Sequence, residues 1–262
     1  MGQRLDFFIA GVQKGGTTAL DSILRSHPTI QMAAIKEAHF FDSDHVNWAK
    51  PDYLPLHQLF DWSVQGMLRG EATPIYLYWP HSLERLHAYN PNARLIIGLR
   101  HPAFRAHSHW KMEFARGLEE LDFSESIRTG RNRVAKAALG AHRVHSYVER
   151  GYYDRQIARA FELFSESQIH IFRTDRVWQH TDEEIQKIEA FLGVGHELQP
   201  VREYIVPVAA SPSASMSASD REYLDDLFLP SIRRLITLTG IDFSDWLDSN
   251  YSEPMSPPLA RE

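Results

Sequence analysis

"DFFIAGVQKGGTTAL", residues 6–20, is the stretch whose reading decides the fold. An apolar run opens it, a glycine turn interrupts it, and a helical pattern of polar and apolar residues closes it, which together predict a buried strand, a tight loop and a helix. In that order the elements aim backbone N–H groups and a helix N-terminus at one point, the makings of an anion site. The loop that cradles nucleoside triphosphates reads G-x-x-x-x-G-K-[ST], with its lysine after the glycines. Here Lys14 precedes Gly15 and Gly16, and Thr17 and Thr18 follow. Taken alone, the stretch fits a loop built for a different phosphate ester, and it also fits a glycine-rich βα turn without a ligand.

Outward from the loop, the chain alternates between strand and helix signals. "ARLIIGLR" (93–100) and "QIHIFR" (168–173) are short apolar runs of the kind that form buried parallel strands. "TTALDSILRSHP" (17–28) has helical spacing and stops near Pro28. "PHSLERLHAYNPN" (80–92) opens with Pro80 at a helix start and ends at Asn90-Pro91. "TDEEIQKIEAFLGV" (181–194) carries a capping box, Thr181 with Glu184, and Gly193 as a stop. Residues 207–219, "PVAASPSASMSAS", read as a low-complexity mobile loop, and the tail 253–262 as a Pro-rich disordered end. The expectation is an α/β protein: one domain over residues 1–252, with a central, mainly parallel sheet flanked by helices.

Composition narrows the function. With 262 residues, 43% hydrophobic and 24% charged, the chain has material for a large core. A formal charge of −6 argues against a general nucleic-acid surface and makes any anion site local. There is no cysteine, so neither disulfides nor thiolate metal sites are available. The start carries no signal pattern and no apolar run is long enough to span a membrane, so a cytoplasmic location is expected.

A triphosphate enzyme needs a second strand ending in an acid to hold magnesium. The strand here ends "LIIGLRHP", with Arg100 at that place, which suggests a second anion bound without metal. Two anion sites on one nucleotide describe 3′-phosphoadenylyl sulfate, with a 5′-phosphosulfate and a separate 3′-phosphate. At this point the chain resembles the sulfotransferases that use this donor, and most of all the heparan-sulfate-type enzymes and their bacterial relatives. "GVQKGGTTAL" resembles their 5′-phosphosulfate loop, and "LRHPAFRAHSHW" their 3′-phosphate segment with Arg100 and Ser108 in the binding positions. "KEAHFFD" (36–42) and "GEATPIYL" (70–77) stand where the family has its acceptor and catalytic stretch. "RGYYDRQIARAFELF", "EIQKIEAFLGV" and "PSIRRLITLTGIDFSDWL" follow in the family's order, so the likeness runs over residues 6–248.

The resemblance implies a P-loop-like sulfotransferase fold that passes a sulfuryl group from 3′-phosphoadenylyl sulfate to a hydroxyl of a sugar or small natural product. Adenosine 3′,5′-bisphosphate (PAP) is then the second product, and no metal is expected. Lys14 would neutralise charge on the leaving phosphate, which is electrostatic preorganisation, with Gly15, Gly16, Thr17 and Thr18 around it. The general base falls at Glu37, whose carboxyl needs burial to raise it toward neutrality. His39 is the second candidate. In an extended segment the two would project to one side. Asp42 either orients His39 or is an exposed loop acid. Arg100 suits phosphate through its planar fork, Arg105 either helps or faces solvent, and Tyr152 is a candidate neighbour of the ribose or adenine.

Two departures stand out. Ala72 occupies the place of a lysine in many heparan-type enzymes, with Lys36 as a substitute, and residues 207–219 contain no basic residue where those enzymes have a Lys-Gly-Arg cofactor loop. The aromatic stretch after His39 reads either as an acceptor wall or as packing. The arginines at 128, 131, 133, 143, 150, 155 and 159 read as an anionic-acceptor surface or as solvated helix faces. N-sulfation of an amine, a small-molecule kinase on the same scaffold, and a binder without turnover are the alternatives.

Overall fold

A computed structural model of the chain describes residues 3–197 and 215–254. In chain order the elements are β1 (Phe7–Gly11), α1 (Thr17–Arg25), β2 (Ile30–Met32), α2 (Leu54–His57), β3 (Leu68–Ala72), α3 (Ser82–Tyr89) and β4 (Arg94–Leu99). There follow α4 (Pro102–Ala115), α5 (Phe123–Ile127), α6 (Asn132–Ala135), α7 (Tyr153–Leu163), β5 (Ile169–Arg173), α8 (Thr174–Gln179), α9 (Thr181–Leu192) and α10 (Ala218–Thr239). The strands form one sheet in the order β2-β3-β1-β4-β5, every neighbouring pair parallel. The expected parallel α/β sheet flanked by helices is therefore what the chain builds.

By contacts the chain gathers into two compact units. The first comprises residues 3–99 and 160–197, with Pro254. It contains the sheet, whose central strand β1 is buried along its whole length. Alternation along β1 sends Phe7 and Ile9 to one face, where they meet Leu20, Ile23 and Leu24 of α1 and Ile185, Ile188 and Leu192 of α9. Each such fully buried side chain contributes about 1.5–3 kcal/mol. Phe8 points to the other face and meets Phe41 edge-on at 5.5 Å and Tyr89 at 6.5 Å. Most of the aromatic stretch after His39 joins this packing, with Phe40, Phe41 and Phe60 buried.

Three sequence signals meet corrections here. Strands β2 and β3 escaped notice because β2 has three residues and β3 carries Arg69 and Glu71. The helix expected from Pro80 begins at Ser82, N-capped by His81 in the left-handed region (φ 66°). There is no capping box at Thr181: α8 runs almost directly into α9, and the Thr181 hydroxyl donates to the Val177 carbonyl at 2.6 Å. Gly193 ends α9 as expected, with φ 71°.

The second unit comprises residues 100–159 and 215–253. Pro102 opens α4, and the His101 ring accepts from the Ala103 N–H at 3.3 Å. Arg105 does not face solvent; it is fully buried and donates to the Tyr147 carbonyl. Ser217 caps α10 by accepting from the Asp220 N–H at 3.1 Å. Of the recurring arginines, Arg128 pairs with Asp220 at 2.5 Å, Arg131 with Glu149 at 2.8 Å and Arg133 with Glu119 at 2.7 Å. Arg150 donates to the Arg143 carbonyl at 2.6 Å. These cations serve internal carboxylates and carbonyls. Residues 207–214 and 255–262 lie outside the described residues, and with them most of the expected mobile loop and of the Pro-rich tail; the end of that loop is not mobile sequence but helix, since Ser217 caps α10 and Ala218 and Ser219 open it.

Candidate active site

Because the strands are all parallel, the loops that leave β1, β2 and β3 emerge at one edge of the sheet, the edge where open α/β sheets bind ligands. The loop after β1 is folded tightly against β4. Val12 donates to the Gly98 carbonyl at 3.0 Å, and Gly15 donates to the Val12 carbonyl at 2.9 Å. A Cβ on Gly15 would stand 2.4 Å from the Gly98 oxygen, so only glycine fits. The Thr174 hydroxyl holds the Gly15 carbonyl at 3.0 Å. Lys14 (φ 70°) and Gly16 (φ 79°) both take the left-handed conformation, and Gly16 N-caps α1. No acidic residue lies in the first turn of α1, so its N-terminal N–H groups and partial positive charge are left for an external anion. Thr17 is buried and Thr18 exposed at that turn. A crowded glycine cradle, a lysine and an uncompensated helix N-terminus fit the 5′-phosphosulfate end of the expected donor.

The segment after β2 is an irregular loop, not an extended strand. Glu37 (φ 61°) and His39 (φ 52°) are both left-handed, and their side chains nevertheless converge, His39 Nε2 lying 3.5 Å from Glu37 Oε2. The two side chains meet as expected, though not by way of an extended segment. Asp42 is fully buried and receives His39 Nδ1 at 2.9 Å, so it orients the ring and is no exposed loop acid. Lys36 Nζ stands 2.6 Å from Glu37 Oε1. Hydrogen bonds to Asp42 and then Glu37 push His39 up to about 9. The hydrogen bond with His39, followed by that with Lys36, draws Glu37 down to about 2 against the opposing effect of partial burial. Burial thus fails to raise this carboxyl, because two donors overrule it. At neutral pH the arrangement is a carboxylate between an ammonium and an imidazolium.

Sequence reasoning missed what lies beneath that loop. Glu71, Thr73 and Tyr76, from β3 and the turn after it, are buried against the loop's backbone. An acid in the middle of an otherwise buried strand was the available signal. Burial raises Glu71 to about 7. Ala72, at the place of the family lysine, is buried, and its carbonyl accepts from the Glu37 N–H at 2.9 Å.

The second unit holds the remaining expected residues. Arg100 follows the last residue of β4, and the Tyr153 hydroxyl donates to its carbonyl at 2.8 Å. Its fork grips a carboxylate from the chain's own end, Nε to Glu253 Oε1 and Nη2 to Glu253 Oε2, both at 2.6 Å. Glu253, expected in a disordered tail, is thus an ordered partner of Arg100. Ser108 is buried on α4. Tyr152 is half-buried, packs edge-on against Phe228 at 5.4 Å, and lies 5.1 Å beneath the Arg155 guanidinium. Among the described residues no group of acids and histidines could hold a metal ion, and no helix is long and apolar enough to cross a membrane.

Comparison with known proteins adds an independent line. The model of the "Sulfotransferase domain" family matches residues 4–208. Heparan sulfate glucosamine 3-O-sulfotransferase 5 of Mus musculus is 29% identical over 192 residues, covering 71% of this chain and 52% of that protein. Heparan sulfate glucosamine 3-O-sulfotransferase 6 of Homo sapiens is 28% identical over 189 residues, covering 71% and 51%. The chain therefore spans about half the length of these curated relatives. A solved sulfotransferase from Alicyclobacillus acidocaldarius superposes with a TM-score of 0.79 at 29% identity, covering 94% of this chain and 100% of that one. The sulfotransferase domain from the curacin biosynthetic pathway shares the fold, with a TM-score of 0.55 at 16% identity and coverage of 92% and 99%.

Proposed function

We propose, from the premise that this chain belongs to the sulfotransferase domain family, that it transfers a sulfuryl group from 3′-phosphoadenylyl sulfate to a hydroxyl of a sugar or small natural product. The observation that carries this reading is an ionised carboxylate set between two cations, on the same sheet edge as a glycine-walled loop made for an anion. When bound, the donor supplies the sulfuryl group and a phosphate able to leave with its charge.

The chain's own residues supply the rest. Gly15, Gly16, Thr17 and Thr18 hold the donor's 5′ end through backbone and hydroxyl groups, and Lys14 neutralises charge there as it builds. Arg100 and Ser108 hold the 3′-phosphate, with Tyr152 beside the nucleoside. The Arg100 fork is already filled by a two-oxygen acceptor, which supports its fitness for that task.

Of the two candidate bases, Glu37 is the one deprotonated at neutral pH, and His39 is protonated and can only donate. Glu37 therefore accepts the proton of the acceptor hydroxyl, and His39, braced by Asp42, orients that hydroxyl or the departing sulfuryl oxygen. A carboxylate near 2 is a weak base, held there first by His39 and then by Lys36, and the flexible Lys36 stem lets the second of these donors turn to another partner and raise that basicity in part.

The test is to incubate a metabolite extract with the protein and 3′-phosphoadenylyl sulfate, with and without a chelator. Mass spectrometry should find a species heavier by one sulfuryl group, formed equally in both, and fragmentation separates O- from N-sulfation. Absence of any such product, together with tighter binding of magnesium ATP than of PAP, overturns the reading in favour of a kinase.

A further inference from the structure

The loop that carries Glu37 and His39 holds two non-glycine residues at positive φ. Such conformations are unfavourable for residues other than glycine and persist only where the surroundings over-determine them. What over-determines them here is a run of hydrogen bonds from successive backbone N–H groups to one short segment. Glu37 N–H donates to the Ala72 carbonyl at 2.9 Å. Ala38 N–H donates to Glu71 Oε1 at 3.1 Å, and His39 N–H to Thr73 Oγ1 at 3.4 Å. Phe40 and Phe41 N–H both donate to the Tyr76 hydroxyl, at 3.1 and 3.5 Å.

The acceptors are themselves tied together. The Thr73 hydroxyl donates to Glu71 Oε1, and the Tyr76 hydroxyl hydrogen-bonds toward Glu71 and Thr73. With its proton pointed at Glu71 or Thr73, each hydroxyl turns its lone pairs to the loop. Glu71, Thr73 and Tyr76 are all fully buried, so no water competes for these bonds.

We infer that Glu71, Thr73 and Tyr76 are positioning residues of the active site, a buried polar cradle that takes the consecutive amides of residues 38–41 and thereby aims the side chains of Glu37 and His39 at the acceptor. The inference rests on the catalytic reading of Glu37 given above. The segment does for the loop through its side chains what a neighbouring strand would do through its backbone, and it does so where the φ angles rule a strand out.

Three variants test it. Thr73→Val removes one acceptor, Tyr76→Phe removes another at constant shape, and Thr73→Ser keeps the hydroxyl. Amide hydrogen exchange over residues 37–41 should quicken roughly three- to tenfold in the first two and return to the parent rate in Thr73→Ser. In a histidine NMR titration, with His39→Gln to assign the resonance, His39 should fall from its elevated value toward the ordinary one in Thr73→Val and Tyr76→Phe. PAP affinity by calorimetry should stay within about twofold, because the loop after β1 makes none of these bonds. Turnover of the acceptor found in the extract should drop roughly 10- to 100-fold in kcat with little change in KM for the donor, the penalty of a base misplaced by about an ångström. Parent-like exchange, parent-like His39 titration and full turnover in Tyr76→Phe overturn the cradle. A joint loss of PAP binding and melting temperature in both Thr73→Val and Tyr76→Phe also overturns it, since the segment would then support the fold alone. Full turnover in Glu37→Gln overturns the catalytic reading instead, and leaves the exchange result standing on its own.

Discussion

At the scale of single residues, the proposed chemistry turns on Glu37, a carboxylate made less basic by its neighbours. Glu37→Gln keeps the shape but only one of the two acceptor oxygens that face Lys36 and His39, and it removes the charge and the proton affinity. Turnover should fall roughly 10²–10⁴-fold with PAP affinity nearly unchanged, measured by product formation and calorimetry. His39 gives a pH signature whose sign is fixed by its shift. Its value is raised to about 9, so the donor form is complete at neutral pH and is lost as pH rises through about 9. The same linkage holds for stability: the contribution of the His39 contacts is full below its ordinary value and disappears through about 9. A kcat/KM profile should therefore carry an alkaline limb near 9. In His39→Gln that limb should be absent and the remaining rate lower at every pH.

At the scale of elements, the two segments proposed to meet the donor work through very different means. The β1–α1 loop works by excluding side chains. Gly15→Ala would force a methyl group to within 2.4 Å of the Gly98 carbonyl, which is backbone and cannot step aside. The variant should lose PAP binding and melt several degrees lower, as a thermal scan with and without PAP would record. The segment after β4 works by charge. Arg100→Ala should weaken PAP at least tenfold and leave AMP, which lacks a 3′-phosphate, almost unaffected, since charge-assisted bonds contribute about 1.5–3 kcal/mol. Glu253 already occupies that fork, and a phosphate must displace it. Glu253→Gln should tighten PAP roughly two- to fivefold, in line with about 0.2–1 kcal/mol for a partly exposed pair. Calorimetry on the two variants separates these opposite signs.

At the scale of the whole molecule, ligand binding must appear as stability. A nucleotide that binds the folded chain alone adds about 2.7 kcal/mol at 100 times its dissociation constant. For a chain of this size that is a rise of roughly 5–10 °C in melting temperature. PAP should produce it without magnesium, and ATP with magnesium should not. The reverse ranking in a thermal-shift titration would remove the two-anion reading of Lys14 and Arg100 together.

The local order of elements was legible in the sequence because it depends on patterns a few residues long. An apolar run, a glycine pair and a helical repeat are enough to write β1, its loop and α1, and the same signals gave β4, β5 and the Gly193 stop. The candidates for the site were legible too, Lys14 and Arg100 from the glycine loop and the strand end, and Glu37 and His39 from the family resemblance. What they do to one another was not. That Glu37 is less basic than a free carboxyl, that Asp42 is buried behind His39 and that Arg128, Arg131 and Arg133 serve internal acids all follow from partners brought near by folding. The same holds for β3, where Arg69 and Glu71 are buried although their side chains are charged types. Glu253 is the extreme case, a residue 153 positions from Arg100 that fills its fork. Sequence spacing fixes which groups can share a strand or a turn. Burial, proton affinity and ion pairing depend on distances across the fold, and those the tertiary structure alone decides.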